Sequence, residues 1–188
     1  MDDVVNALLP AIDPVFAHSA AAVVGAVLLI GAGEKLREPE SFRDAVENYR
    51  LLPAAAVPAF ARALPLLEIL AGVLLLPLAT RPLGALLALA LLLMFTAAIA
   101  INLLRGRDRI DCGCGGNEHT PLGTGVVLRN VALMLLAVAA AAPLLDRGTV
   151  WLDFVAAGFA TLFLLGLYFL ANTMLGRQSQ LLDLRNSP

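Results

Sequence analysis

Apolar runs dominate this chain and leave it few ways to fold. Between Asp13 and residue 175 five of them approach or exceed the roughly 20 residues that cross a bilayer, separated by short polar breaks. With 60% hydrophobic residues, 15% charged residues and a mean hydropathy of +0.83, the balance is not that of a water-soluble domain. The reading is an all-α membrane protein, because only helices that satisfy their own backbone can span hydrocarbon as single segments.

Helices are predicted over about 14–33, 58–78, 83–104, 123–145 and 150–175, in a single polytopic membrane domain over 1–176, with a polar, frayed tail over 177–188. Asp13-Pro14 is a strong helix start, an N-cap followed by proline at the first helical position. Ala21 and Gly25, one turn apart, let a neighbouring helix come close. Thr80-Arg81-Pro82 is a tight turn that makes the second and third spans antiparallel neighbours. Residues 39–53 are too polar to span. Within them Ser41 and Asp44 resemble a capping box, and Phe42, Val46 and Tyr49 at helical spacing predict an interfacial helix over about 41–51. A solvated loop helix fits that pattern equally. Met1-Asp2-Asp3 has no basic residue near it, so no cleavable signal peptide is expected. Nothing in the charge pattern is of the nucleic-acid-binding type.

The order of the spans concentrates the polar residues. Glu34, Lys35, Arg37, Arg62, Glu68, Asn102, Cys112, Cys114, Arg129 and Asn130 all fall in one half of the bundle. The other half has little beyond Arg81, Asp146, Arg147 and Asp153. Glu68 lies about 15 Å along its helix at 1.5 Å per residue, where an ionisable group needs a partner or a wet cavity. Arg129 is the expected partner, with Lys35 as second choice. The pair is either a structural ion pair or part of a site that passes protons or meets a quinone head group. Asn102 and Asn130 are expected to complete that pocket or to act as interhelical glue. His18, in the far half, reads as an interfacial histidine.

Cys112-Gly113-Cys114 sits in a loop with Arg105, Arg107 and Arg109 before it and Gly115-Gly116 after it. A disulfide across one residue is near the edge of the allowed geometry, and strained, exposed disulfides exchange readily. The arginines favour a thiolate; Asp111 opposes it. Two idle thiols in a glycine-rich turn remain the plain alternative. Cys112, Cys114 and His119 make a weak metal set, and no metal is expected.

Gly33-Glu34-Lys35-Leu36, Phe42 with Tyr49-Arg50-Leu51-Leu52-Pro53, and Pro65-Leu66-Leu67-Glu68-Ile69-Leu70-Ala71-Gly72 resemble the DoxX-like membrane superfamily. Asp111-Cys112-Gly113-Cys114-Gly115 followed by Leu128-Arg129-Asn130 is similar to its MauE branch, the methylamine utilisation proteins. The resemblance covers about residues 15–145. It implies a four-helix DoxX-like transmembrane bundle plus a fifth C-terminal transmembrane helix, in a bacterial inner membrane. It further implies a role in disulfide formation during maturation of a redox enzyme, beside a thioredoxin-like partner. Cys112 and Cys114 would then be the redox pair, with Glu68, Arg129, Asn130, Asn102 and Lys35 as polar support.

On these grounds the expected function is thiol–disulfide exchange between a protein dithiol and a membrane acceptor such as quinone. A non-catalytic anchor or assembly subunit for a redox partner, and a small-molecule or metal transporter, are the alternatives. Of the 13 Lys and Arg, only Arg81 and Arg147 fall away from the cysteine half. Positive-inside logic therefore places the Cys loop at the cytoplasmic face, opposite to where direct oxidation of periplasmic clients would occur.

Overall fold

The computed structural model describes residues 10–107 and 123–186, with side chains in the second stretch as far as 176. Among the described residues there are six helices: α1 Pro14–Arg37, α2 Pro39–Tyr49, α3 Val57–Leu74, α4 Arg81–Leu104, α5 Thr124–Ala141 and α6 Trp151–Asn186. All but α2 are long and apolar enough to cross a membrane. The expectation of an all-α membrane protein is met.

The ends of the helices follow local chemistry. Asp13 caps α1, its carboxylate accepting from Val15 N at 2.9 Å, and Pro14 occupies the first turn. α1 runs one turn beyond the expected end at 33, since Glu34 to Arg37 are good helix formers and Lys35 and Arg37 suit a C-terminal turn. α2 begins at Pro39, ahead of the Ser41 capping box, which therefore does not cap it. It stops where Arg50 takes a left-handed conformation, φ 49°.

α3 ends at Leu74 rather than near 78, because Pro77 disfavours helix in the residue before it. The carbonyls exposed there are collected by the next turn. Thr80 Oγ1 donates to Leu74 O at 2.9 Å, and Arg81 donates from Nε to Leu75 O at 3.2 Å and from Nη2 to Leu76 O at 3.3 Å. Pro143 similarly stops α5 at Ala141, short of 145. α6 continues as helix to Asn186, through most of the stretch expected to fray.

α1 is the axis of the bundle. It packs on α3, α5 and α6, while α4 packs on α3 and α5 and closes a four-helix arrangement; α6 lies outside, chiefly on α1. Lipid tails give apolar helices no hydrophobic reason to associate, so close backbone approach matters most. Gly25 and Gly72 supply it: a Cβ on Gly25 would lie 3.2 Å from Gly72 O, and one on Gly72 would lie 3.1 Å from Gly25 O. The face of α1 around that crossing is Ala17, Ala20, Ala21, Val24 and Leu28, all buried. Outward, Phe154, Phe159, Leu162 and Phe163 of α6 are exposed, as suits a surface facing lipid.

At the end away from the cysteine half, the chain before α1 is laced to the chain before α6. Ile12 N donates to Pro143 O and Leu145 N donates to Ile12 O, both at 2.9 Å. Arg147 donates to both Asp13 oxygens at 2.8 and 2.9 Å and to Asp153 at 3.1 Å. His18 is held nearby by Pro14 O and sits edge-on to Phe154.

Candidate functional site: a buried polar cavity

Lys35, on the last turn of α1, reaches across to α3. Its Nζ donates to Glu68 Oε1 at 3.0 Å and to Gly31 O at 3.3 Å, and the rings of Phe42 and Phe95 lie 5.4 and 5.8 Å from it. The two side chains are almost fully buried, 6% and 3% accessible. A lone charge at that depth would be costly; ion pairing and two aromatic faces offset much of the loss of water.

This corrects the expected pairing of Glu68 with Arg129. Arg129 turns instead towards α6: Nη1 donates to Asn172 Oδ1 at 2.6 Å, and the guanidinium lies 5.5 Å from the Tyr168 ring. Its Nη2 also donates to Asn130 Oδ1 at 3.4 Å. Tyr168 and Asn172 had no place in the reading of the sequence. Asn172 did leave a signal, as a single amide in an otherwise apolar run, and such a residue faces a partner more often than lipid.

These groups share a cavity of about 350 Å³. Lys35, Glu68, Arg129, Asn130 and Tyr168 are on its wall, and the rest is mainly Leu, Val, Ile, Ala, Met and Phe. Three buried polar atoms of these wall residues have no hydrogen-bond partner among the described residues: Glu68 Oε2, Arg129 Nε and Asn130 Nδ2. Natural interiors leave few such atoms unpaired, so each is a candidate contact for something the cavity holds.

Of the expected pocket residues, then, Lys35, Glu68, Arg129 and Asn130 come together around one space. Asn102 does not line it. Fully buried in α4, it donates from Nδ2 to Ala98 O at 3.0 Å, and its backbone carbonyl accepts from Arg105 N at 3.1 Å and Arg107 N at 3.0 Å. Its observed bonds close the end of α4. Cys112, Cys114 and His119 lie outside the described residues. The residues that flank them are Arg107, whose Nη1 donates to Asn48 O on α2 at 3.4 Å, and Gly123, at the start of α5.

The fold and the cavity together define a class: a multi-pass, all-α membrane protein with charged side chains enclosed in the lipid-spanning part of its bundle. Comparison with known proteins narrows this to a family. The family profile described as Methylamine utilisation protein MauE matches residues 13–145, and the chain belongs to that family. It is 37% identical over 167 residues to a methylamine utilization protein MauE of Methylophilus methylotrophus, covering 87% of this chain and 88% of the relative. The MauE of Methylorubrum extorquens is 37% identical over 177 residues, 90% of this chain and 95% of the relative. That of Paracoccus denitrificans is 45% identical over 120 residues, 62% and 63% of the two chains. No solved structure matches.

Proposed function

We propose that this protein is a thiol–disulfide redox component of methylamine utilisation, set in a bacterial inner membrane. It takes electrons from a dithiol on a thioredoxin-like partner and passes them to a membrane acceptor such as quinone, in support of the maturation of a redox enzyme. Family membership supports the methylamine context. The observation that carries the redox reading is the cavity. It is apolar, holds buried charge, and lies in the half of the bundle where Arg107 and Gly123 flank Cys112 and Cys114.

The chemistry balances as follows. A thiolate of the partner attacks one sulfur of the Cys112–Cys114 disulfide, and the other sulfur leaves as a thiolate. The partner's second thiolate then attacks the mixed disulfide. The partner is oxidised to a disulfide, and Cys112 and Cys114 become a dithiol. Return to the disulfide delivers two electrons and two protons to the quinone, which leaves as quinol.

The test is free-thiol counting on the full chain in membranes, with reduced thioredoxin as probe under anaerobic conditions. Cys112→Ser and Cys114→Ser should each abolish exchange while the protein accumulates normally, since both lie between spans rather than in them. A pair that stays reduced and unreactive, or a double variant that complements fully, overturns the redox reading in favour of a non-catalytic assembly subunit.

A further inference from the structure

The cavity wall specifies what it can hold. Lys35 is matched by Glu68 and enclosed by Phe42 and Phe95, whereas Arg129 is bonded to the neutral amides of Asn172 and Asn130 and keeps its positive charge. A free cation would meet no unmatched negative charge there, and a free anion would have to cross a mainly apolar wall to reach the guanidinium. Among the described residues, what remains unmet is two donors adjacent in sequence on α5, Arg129 Nε–H and Asn130 Nδ2–H, and one acceptor, Glu68 Oε2. Glu68 and Asn130 are each 2% exposed. Two N–H donors in an apolar space suit a neutral carbonyl oxygen, which has two lone pairs.

The way in is also visible. Leu51, Leu52 and Ile101 line the cavity and are exposed on the outside of the bundle at 36%, 37% and 38%. They belong to the α2–α3 connection and to α4. α2 packs on α3 and α1 but not closely on α4. The opening therefore has an apolar rim between α2 and α4. At about 350 Å³ the space takes a substituted ring, at the small end of the usual range for ligand sites, while a tail passes out between the helices.

We infer that this cavity binds the ring of a membrane-soluble quinone, with a ring carbonyl accepting from Arg129 Nε and Asn130 Nδ2, entering from the bilayer between α2 and α4. The reduced ring, which bears hydroxyls, donates to Glu68 Oε2. The choice of a quinone rests on the redox reading above; the polar contacts and the portal rest on the cavity itself.

The experiment separates the two. The full-length chain carrying Cys112→Ser and Cys114→Ser, which cannot exchange thiols, is placed in lipid nanodiscs and titrated calorimetrically with decylubiquinone. Saturable binding of one molecule per chain is expected. Asn130→Leu and Arg129→Lys, added singly, should each weaken it about tenfold, as for the loss of one hydrogen bond to a buried group. A decyl-substituted aromatic hydrocarbon without carbonyls should bind the same chain about tenfold more weakly, and be indifferent to both substitutions. Equal affinity for the quinone and the hydrocarbon would mean only that apolar molecules or lipid tails fill the space, and would overturn the proposal. So would the absence of saturable binding by a chain whose thermal unfolding is intact. Quinone binding without any thiol exchange by the unmutated chain leaves this site standing and removes the redox function. Thiol exchange with a quinone that ignores both substitutions does the reverse.

Discussion

Lys35 Nζ on α1 lies 3.0 Å from Glu68 Oε1 on α3, and the pair is buried in a wall of apolar side chains. Removing either partner strands the other, whereas replacing both removes two desolvation costs together. Lys35→Met should therefore lower unfolding stability in detergent by about 3–5 kcal/mol, while Lys35→Met with Glu68→Leu should fall much closer to the unmutated protein. A double-mutant cycle reads the coupling directly. Additive effects of the two substitutions would show that the side chains do not meet.

The α3–α4 turn is tighter than the α1–α3 crossing. A Cβ on Gly84 would stand 2.6 Å from Leu75 N and 2.7 Å from the Leu74 carbonyl carbon, both backbone atoms. On Gly72 the shortest contact, 2.8 Å, is to the Leu29 Cγ, and the nearest backbone atom, Gly25 O, is at 3.1 Å. Gly84→Ala should thus cost about 1–3 kcal/mol and Gly72→Ala less. Gly158→Ala, with open space around it on α6, should be neutral or stabilising by a few tenths of a kcal/mol, since alanine favours helix. Detergent melting curves of the three variants give the order, and an equal loss at Gly158 and Gly84 would contradict it.

Much of this arrangement was legible in the residues, and the parts that were not have physical causes. The five spans and the start of α1 at Asp13-Pro14 could be read directly, because apolar length and capping are local properties. The concentration of polar residues in one half followed from counting turns. The partner of Glu68 did not, because it depends on how α1 is rotated and where it stops. With α1 ended at 33, Lys35 belonged to a loop; one further turn of helix carries it to α3. The partner of Arg129 was hidden for another reason. α6 is apolar on nearly every face, so its pattern does not say which side meets α1 and α5, and only contact with Arg129 singles out Tyr168 and Asn172. Cys112 and Cys114 stood out from the sequence as chemistry and lie outside the described residues.

Acid should loosen the opposite end of the bundle. The hydrogen bonds from Arg147 hold the Asp13 carboxyl below the usual carboxylate range, with a further bond from Val15 N acting the same way. A carboxyl whose folded pKa is depressed adds stability above its unfolded value and loses it as pH falls through the folded one. The contribution of this clamp should be constant from pH 7 down to about 5, then shrink below about 4. Arg147→Gln should lower the unfolding midpoint in the upper range, and the difference from the unmutated protein should narrow as pH falls below about 4. A difference that stays the same at every pH would mean that neither Asp13 nor Asp153, the two carboxylates on Arg147, titrates in this range.

Orientation in the membrane decides which compartment the cysteines meet, and the structure changes which charges bear on it. Lys35 and Arg129 are engaged inside the bundle, so neither counts as a loop charge. Arg37, Arg43, Arg50, Arg62 and Arg105 are exposed at the cysteine end. At the other end Arg81 is buried against α3 carbonyls, and Arg147 is neutralised by Asp13 and Asp153. Positive-inside logic thus still favours a cytoplasmic cysteine end, and more cleanly than a bare count of residues. Two exposed positions test it in a chain carrying Cys112→Ser and Cys114→Ser: Glu40→Cys on α2 and Asp146→Cys before α6. A membrane-impermeant maleimide should label Asp146→Cys in intact cells and Glu40→Cys only after permeabilisation. The opposite pattern would put Cys112 and Cys114 on the outer face, and the dithiol partner proposed above would then have to be outside the cell membrane. The quinone site proposed above, entered between α2 and α4, would be unaffected, and only the compartment that supplies the dithiol would change.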